Sequence, residues 1–255
     1  MAYPLAMTDG PGVRVVDRTG PGGSPWQMAE VVEIHPETEN ATSFRLQLSK
    51  PVQHVPGQHY VLRLTAPDGY TAQRSYSVAS APDPTGIIEL TVDLLPDGEV
   101  SGFLHDVVEV GDELEVRGPI GGYFVWRAEE PALLIAGGSG VVPFMSMLRH
   151  ARALGREDLL RLVVSVRRIE DLFYADEIRG PHTTILTTRE PLAGSDRTPH
   201  RVDADALLPV VAEVPEDATI YVCGSNRFAD AVTDLLIRGG VASPRIRVER
   251  FGEAV

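Results

Sequence analysis

Three short stretches of this sequence combine residue types that could do chemistry. In Arg74-Ser75-Tyr76-Ser77 a guanidinium, a ring and two hydroxyls alternate along a run with strand-like patterning. Alternation sends neighbouring side chains to opposite faces, so both faces carry hydrogen-bonding groups. Tyrosine can lie on a flat ring system, and arginine can hold a phosphate through two parallel bonds. An ordinary edge strand with an exposed arginine has the same pattern. In Ile135-Ala136-Gly137-Gly138-Ser139-Gly140-Val141-Val142-Pro143, glycines separate an apolar run from a helical pattern. Glycine lets a ligand approach the backbone, and a helix start offers free N–H groups to phosphate. Pro143 suits the first helical turn. This is not the G-x-G-x-x-G fingerprint, and the stretch reads equally as a structural turn or a phosphate cradle. Val222-Cys223-Gly224-Ser225-Asn226 ends another apolar run. A lone cysteine is most often a small buried hydrophobe, although ligands of open α/β sheets gather at such strand ends.

The elements that must position these residues fall into two textures. Residues 1–27 are rich in Gly and Pro without periodicity and read as a flexible lead-in. Alternating runs follow over 29–34, 42–48, 59–64, 74–78, 87–94 and 113–117, separated by turn signals such as Pro56-Gly57 and Asp68-Gly69. Six short strands at this spacing imply a small antiparallel β-barrel, with one short helix over 100–107. Beyond Tyr123 the pattern changes. Strands at 132–136, 159–166, 183–187, 220–223 and 245–250 alternate with helical stretches at 142–154, 170–178, 203–208 and 227–238. That alternation implies an α/β doubly wound parallel sheet. The expected division is a β-barrel domain over 28–126 and an α/β domain over 127–255.

Composition removes several classes. The chain has 255 residues, a formal charge of −13 and one cysteine. A strongly acidic chain is a poor match for nucleic acid or for an anionic membrane surface. One cysteine supports no internal disulfide, thiolate zinc site or iron–sulfur cluster. No export signal or spanning segment is visible, so a soluble, reducing, cytoplasmic setting is expected, with no metal. The charge is uneven: residues 1–127 hold 8 basic and 17 acidic residues, and from Asp93 to Glu115 there are eight carboxylates with no Lys or Arg.

Taken in order, these motifs resemble the ferredoxin–NADP reductase family. Arg74-Ser75-Tyr76-Ser77 is similar to its flavin motif R-x-Y-S, and Pro56-Gly57-Gln58-His59 to the preceding P-G-Q segment. Gly98-Glu99-Val100-Ser101 with Leu104 resembles the short helix start that holds the flavin pyrophosphate. Gly118-Pro119-Ile120-Gly121-Gly122-Tyr123-Phe124 looks like the interdomain G-P-x-G-x-F loop with one extra glycine. Gly137 to Pro143 is similar to the G-G-S/T-G-x-x-P loop for nicotinamide dinucleotide phosphates, Cys223-Gly224 to the C-G motif, and Glu249-Arg250-Phe251 to the terminal E-x-F/Y. The resemblance covers about 28–252.

The resemblance implies bound FAD and a nicotinamide dinucleotide. Arg74 and Ser75 would lie along the flavin, with Arg74 on the pyrophosphate, Tyr76 on the isoalloxazine and Ser77 near N5. His59 would contact the ribityl chain or ring. Thr91-Val92-Asp93 would meet the adenosine side through backbone, and Gly98, Val100 and Ser101 the pyrophosphate, with Glu99 contributing backbone only. Gly137, Gly138, Ser139, Gly140, Val141 and Pro143 would take the dinucleotide phosphates. Cys223 and Gly224 would position nicotinamide C4, Glu249 would meet the carboxamide or relay protons, and Phe251 would cover the flavin until displaced. Such chemistry asks the protein for position and exclusion of water. Arg167, Arg168 and Arg189 are candidates for a 2′-phosphate and tilt the expectation toward NADPH over NADH. Electrons would leave to a separate acceptor protein such as a ferredoxin or oxygenase. A diaphorase or free-flavin/quinone reductase is the second reading, and a non-turnover nucleotide-binding redox sensor the third.

Overall fold

The computed structural model describes residues 24–251, so most of the lead-in expected over 1–27 lies outside the described residues, as does 252–255. The first strand starts at Trp26, earlier than the alternation alone placed it. Six antiparallel strands follow in the chain: β1 (Trp26–Thr38), β2 (Ala41–Leu48), β3 (His59–Thr65), β4 (Thr71–Ser77), β5 (Ile87–Asp93) and β6 (Glu113–Ile120). Their order is β4-β3-β6-β1-β2-β5, and a bridge between Val78 and Leu90 brings the two edges together into a barrel. Residues of one parity fill it: Ala29 and Val31, Phe44 and Leu46, Tyr60 and Leu62, Ile88, Leu90 and Val92. The helix α1 (Glu99–Asp106) buries Val100 and Leu104 in the same core.

The second half holds five parallel strands: β7 (Ala132–Gly137), β8 (Leu160–Val166), β9 (Thr183–Thr187), β10 (Thr219–Ser225) and β11 (Ile246–Phe251). Their order is β11-β10-β7-β8-β9, so the winding reverses between β7 and β10. The central strand is apolar on both sides. Leu134 and Ala136 face the cluster that contains α2 (Val142–Leu154), while Leu133 and Ile135 face the cluster that contains α4 (Ala204–Ala212) and α5 (Asn226–Arg238). Caps set the helix starts: Asp203 accepts from the Ala206 N–H at 2.9 Å and Ser225 from that of Phe228 at 3.3 Å.

One expected helix, over 170–178, is broken. Ile169–Asp171 forms a single tight turn, and only α3 (Ala175–Ile178) is helical. Between them Leu172, Phe173 and Tyr174 are all buried, and Tyr174 adopts left-handed backbone at φ 54°. Three consecutive buried side chains cannot share one helical face. Here they are covered from two sides, because this segment packs against the barrel.

The two halves meet through a buried seam. The Trp126 N–H donates to the Pro56 carbonyl at 3.1 Å, and the Tyr221 hydroxyl to that of Val125 at 2.7 Å. Gly57, at φ 94°, is pressed so close that a Cβ there would lie 2.1 Å from the Phe124 carbonyl oxygen. His54 is buried at the seam, with Nε2 3.0 Å from the Ser80 carbonyl oxygen and 3.3 Å from Ser146 Oγ. Burial pushes its pKa down from 6.5 to about 4. The unfolded chain therefore takes up a proton that the folded chain excludes. Stability is full above about pH 6.5 and falls by on the order of 3 kcal/mol as pH drops to about 4. Because Glu249 titrates with the opposite sign over nearly the same range, the readout is a difference: between pH 7 and 4 the urea-unfolding stability of the chain should fall by on the order of 3 kcal/mol relative to that of His54→Asn. An equal slope in the variant would contradict the assignment.

Candidate active site

The loop after β7 is a tight turn, Gly138–Val141, running straight into α2, which has Pro143 in its first turn. It lies where the sheet order reverses, the place where open α/β sheets bind ligands. Its backbone passes over the neighbouring strand end: a Cβ on Gly140 would sit 2.2 Å from the Cys223 carbonyl oxygen. Cys223 pairs with Ala136 on one side and Glu249 on the other, so the glycine loop, the cysteine and the glutamate occupy adjacent strand ends. Gly224 pairs with Arg250, and Phe251 packs against the cluster that contains Cys223, Tyr221 and Phe124.

On the barrel side, the strand β4 pairs with β3 so that Ser77 opposes His59 and Tyr76 opposes Tyr60. Arg74 and Ser75 are exposed, Tyr76 is half-buried against the barrel core and Ser77 is buried. The Arg74 guanidinium donates to the Gln73 carbonyl at 2.7 Å and otherwise faces outward. His59 lies beside Gly121, and burial lowers its pKa. The two domains meet immediately beyond Ser77, where Ala79 joins the same apolar cluster as Cys223.

Desolvation governs the electrostatics. Cys223 is fully buried, and burial, then the nearby Glu249 carboxylate, pushes its thiol well above the usual range. It is a neutral thiol and not a nucleophile. Burial raises Glu249 from 4.5 to about 7, so near neutral pH it can carry a proton and donate it to a ligand. Two side-chain atoms here are buried without a hydrogen-bond partner: Ser77 Oγ on the barrel side and Glu249 Oε2 on the sheet side. Buried polar atoms are rarely left unmatched. Their pairing is what bound flavin and nicotinamide would supply, so the residues present fit both groups.

At the far end of the barrel the first turn of α1 offers the N–H groups of Glu99, Val100 and Ser101. The Ser101 hydroxyl is already engaged with the Gly98 carbonyl and the Leu95 N–H, both at 3.3 Å. The Glu99 carboxylate is held by the Tyr70 hydroxyl at 3.1 Å, so it turns aside. Gly98 and Glu99 border a cavity of about 540 Å³ that also takes in Asn40, Leu94 to Asp97, Gly102 and Asp106. The Thr91 hydroxyl bonds Ser43 at 2.7 Å and Tyr174, and Val92 fills the barrel core, which leaves only the backbone of this strand for the contact expected of it. Asp93 is half-buried and faces the charge of Arg167.

Residues 28–125 match the oxidoreductase FAD-binding domain family, and residues 134–234 the oxidoreductase NAD-binding domain family. The chain is 30% identical over 240 residues to the 2-halobenzoate 1,2-dioxygenase electron transfer component of Burkholderia cepacia, covering 89% of this chain and 68% of that protein. The chain belongs to the ferredoxin–NADP reductase family. It is also 31% identical over 244 residues to the propane 2-monooxygenase reductase component of Rhodococcus jostii (strain RHA1), covering 90% of this chain and 65% of that one. The chain thus spans about two thirds of the length of these relatives. The flavohem-like FAD/NAD binding domain of nitric oxide dioxygenase from Vibrio cholerae O1 biovar El Tor shares the fold, with a TM-score of 0.75 and 24% identity over 89% of this chain and 99% of that one. Among the described residues no helix is long and apolar enough to cross a membrane.

The arginines considered for a 2′-phosphate, Arg167, Arg168 and Arg189, lie just beyond β8 and β9. Arg168 is ion-paired with Glu170 at 2.9 Å, and its own N–H donates to Asp171. Glu190, which follows Arg189 beyond β9, accepts from the Ile169 N–H at 2.7 Å. An acid therefore stands just past the end of β8, brought there from the next strand's loop. Strand order, not sequence proximity, makes it a neighbour.

Because the Glu249 pKa is raised, the folded chain holds a proton that the unfolded chain releases between about pH 4.5 and 7. Stability is full below that window and lost as pH rises through it. Glu249→Gln should therefore stabilise the chain by about 2–3 kcal/mol at pH 8 and leave it nearly unchanged at pH 4.5, read by denaturant midpoints. Equal effects at both pH values would contradict a raised pKa.

Proposed function

We propose that this chain takes hydride from a reduced nicotinamide dinucleotide onto bound FAD and passes the electrons to a separate acceptor protein of the oxygenase type. The observation that carries this is the pair of buried unpartnered atoms, Ser77 Oγ and Glu249 Oε2, one on each domain. The flavin supplies the hydride-accepting and electron-splitting chemistry. The chain's own residues bind, orient and keep water out. The Gly138–Val141 backbone and the start of α2 take the dinucleotide phosphates. Arg74 and the first turn of α1 take the flavin pyrophosphate. Tyr76 would offer its ring to the isoalloxazine, and Ser77 would give a hydrogen bond near flavin N5. Protonated Glu249 would donate to the nicotinamide carboxamide, and Cys223 would help position the nicotinamide without reacting. Phe251 would cover the flavin until the nicotinamide displaces it.

We infer NADH in preference to NADPH. Three observations support this reading: Arg168 is ion-paired with Glu170, the charge of Arg167 is felt at Asp93, and the Glu190 carboxylate beside the Ile169 N–H is available to a ribose 2′-hydroxyl. The acceptor follows the names of the relatives, a propane 2-monooxygenase reductase component and a dioxygenase electron transfer component. The carboxylates between Asp93 and Glu115 would steer a partner with a basic surface.

Absorbance of the FAD-loaded chain during anaerobic titration tests this. One equivalent of NADH should bleach the flavin bands, and NADPH should need a markedly higher concentration. No bleaching by either dinucleotide would remove the functional reading. Preferential bleaching by NADPH would remove the cofactor preference.

A further inference from the structure

The helix that starts at the phosphate loop is tied to the flavin strand farther along its length. Ser146 and Arg149 stand three residues apart on α2, on one face. The Ser146 hydroxyl donates to the Ser80 carbonyl at 2.7 Å, and Arg149 Nη1 to the Ala79 carbonyl at 3.2 Å. These adjacent carbonyls follow directly after Ser77 and Val78. From Val142 to Arg149 is about 10 Å of rigid helix. One end of this rod is the glycine loop, and the other grips the chain two residues beyond the proposed flavin contact.

Arg149 does more than grip a carbonyl. Its guanidinium donates to Glu89 of β5 at 2.6 Å and to Glu177 of α3 at 2.9 Å, and it lies 5.2 Å from the centre of the Tyr174 ring. Tyr174 completes a closed circuit into the barrel. Its hydroxyl bonds Thr91, Thr91 bonds Ser43 at 2.7 Å, Ser43 donates to Glu37 at 2.8 Å, and Glu37 accepts from the Tyr174 N–H at 3.1 Å. The left-handed φ of 54° at a bulky buried residue is the local cost of aiming both its hydroxyl and its N–H at the barrel. Strands β1, β2 and β5 are therefore all tied to one tyrosine of the dinucleotide domain.

We propose that Arg149 and Tyr174 are positioning residues that set the spacing between the dinucleotide-phosphate loop and the strand end carrying Ser77. Neither touches the reacting atoms; Arg149 acts through α2 and the Ala79 carbonyl, and Tyr174 through its bonds to the barrel and its ring contact with Arg149. This rests on the function proposed above. A fixed spacing matters because small misplacements at a reacting pair cost rate steeply, while the proposed phosphate contacts lie at the other end of α2.

The test uses the FAD-loaded full chain with Arg149→Met, Arg149→Lys and Tyr174→Phe. Two readouts are needed: the limiting rate of anaerobic flavin bleaching by NADH, and the long-wavelength charge-transfer absorbance of reduced flavin with NAD+, which a purely structural role would not move. Arg149→Met should lower the limiting rate about tenfold or more while the dinucleotide dissociation constant shifts less than about threefold. Arg149→Lys, which keeps the charge but loses the fork, should fall between, and Tyr174→Phe should lose rate a few-fold, with charge-transfer absorbance falling in the same order. Unchanged rate and absorbance in folded variants would overturn the proposal, as would losses no larger than the fraction of protein that has shed FAD. If Arg149→Met does not fold, Tyr174→Phe decides. Failure of the unaltered chain to bleach would remove the proposed function and this inference together; bleaching there with equal rates in the variants removes only the inference.

Discussion

A hydride crosses only between atoms held nearly in contact, at about 3–3.5 Å, and for the proposed reaction two separately wound domains would have to deliver that separation. Strand β4 of the barrel ends at Ser77, and Cys223 and Glu249 pair with each other two residues before the ends of β10 and β11. Neither domain holds both halves of the junction, so everything depends on the seam. The seam is built from the interactions that tolerate least displacement: carbonyls gripped by Ser146 and Arg149, a glycine at 57 that admits no side chain, and a buried tyrosine in a closed hydrogen-bond circuit. Hydrophobic contacts around Phe124, Trp126, Phe144 and Tyr221 supply the burial that keeps these polar contacts dry and strong.

Dryness then sets the chemistry of the junction. With water excluded, Cys223 stays a thiol and Glu249 holds its proton to about pH 7. A site with no activated nucleophile and a neutral hydrogen-bond donor is suited to orienting an uncharged ring and unsuited to hydrolysis or acyl transfer. The same desolvation keeps His54 neutral at the seam. The fold accepts two ionisable groups in low dielectric, with opposite pH dependences, at positions where it must also remain tightly closed.

What could be read in the sequence was local. The alternation at 42–48 and 87–94, the apolar run at 132–136 and the glycines at 137, 138 and 140 each report their own surroundings, and they were enough to draw the barrel, the sheet and the two strand ends. Contacts that depend on strand order were not legible. Glu190 reaches the end of β8 only because β9 lies beside β8. That the Thr91 hydroxyl is taken by Tyr174, far along the chain, is equally a matter of tertiary neighbours. The stretch at 170–178 has helical composition, and only the barrel pressing on Leu172 to Tyr174 from outside explains why it is not a helix. Arg149 looked like one more surface arginine among seven between 149 and 179; its partners lie on β5, on α3 and at the strand end after Ser77.

A crystal structure of the chain loaded with FAD and soaked with oxidised nicotinamide dinucleotide tests the central claim most directly. The expected result is a nicotinamide ring lying between the Tyr76–Ser77 strand end and the Cys223–Glu249 strand ends, with its pyrophosphate on the 138–141 backbone and Ser77 Oγ and Glu249 Oε2 both hydrogen-bonded to cofactor. A ring bound elsewhere, or a bound ring that leaves both atoms unpartnered, would contradict the account.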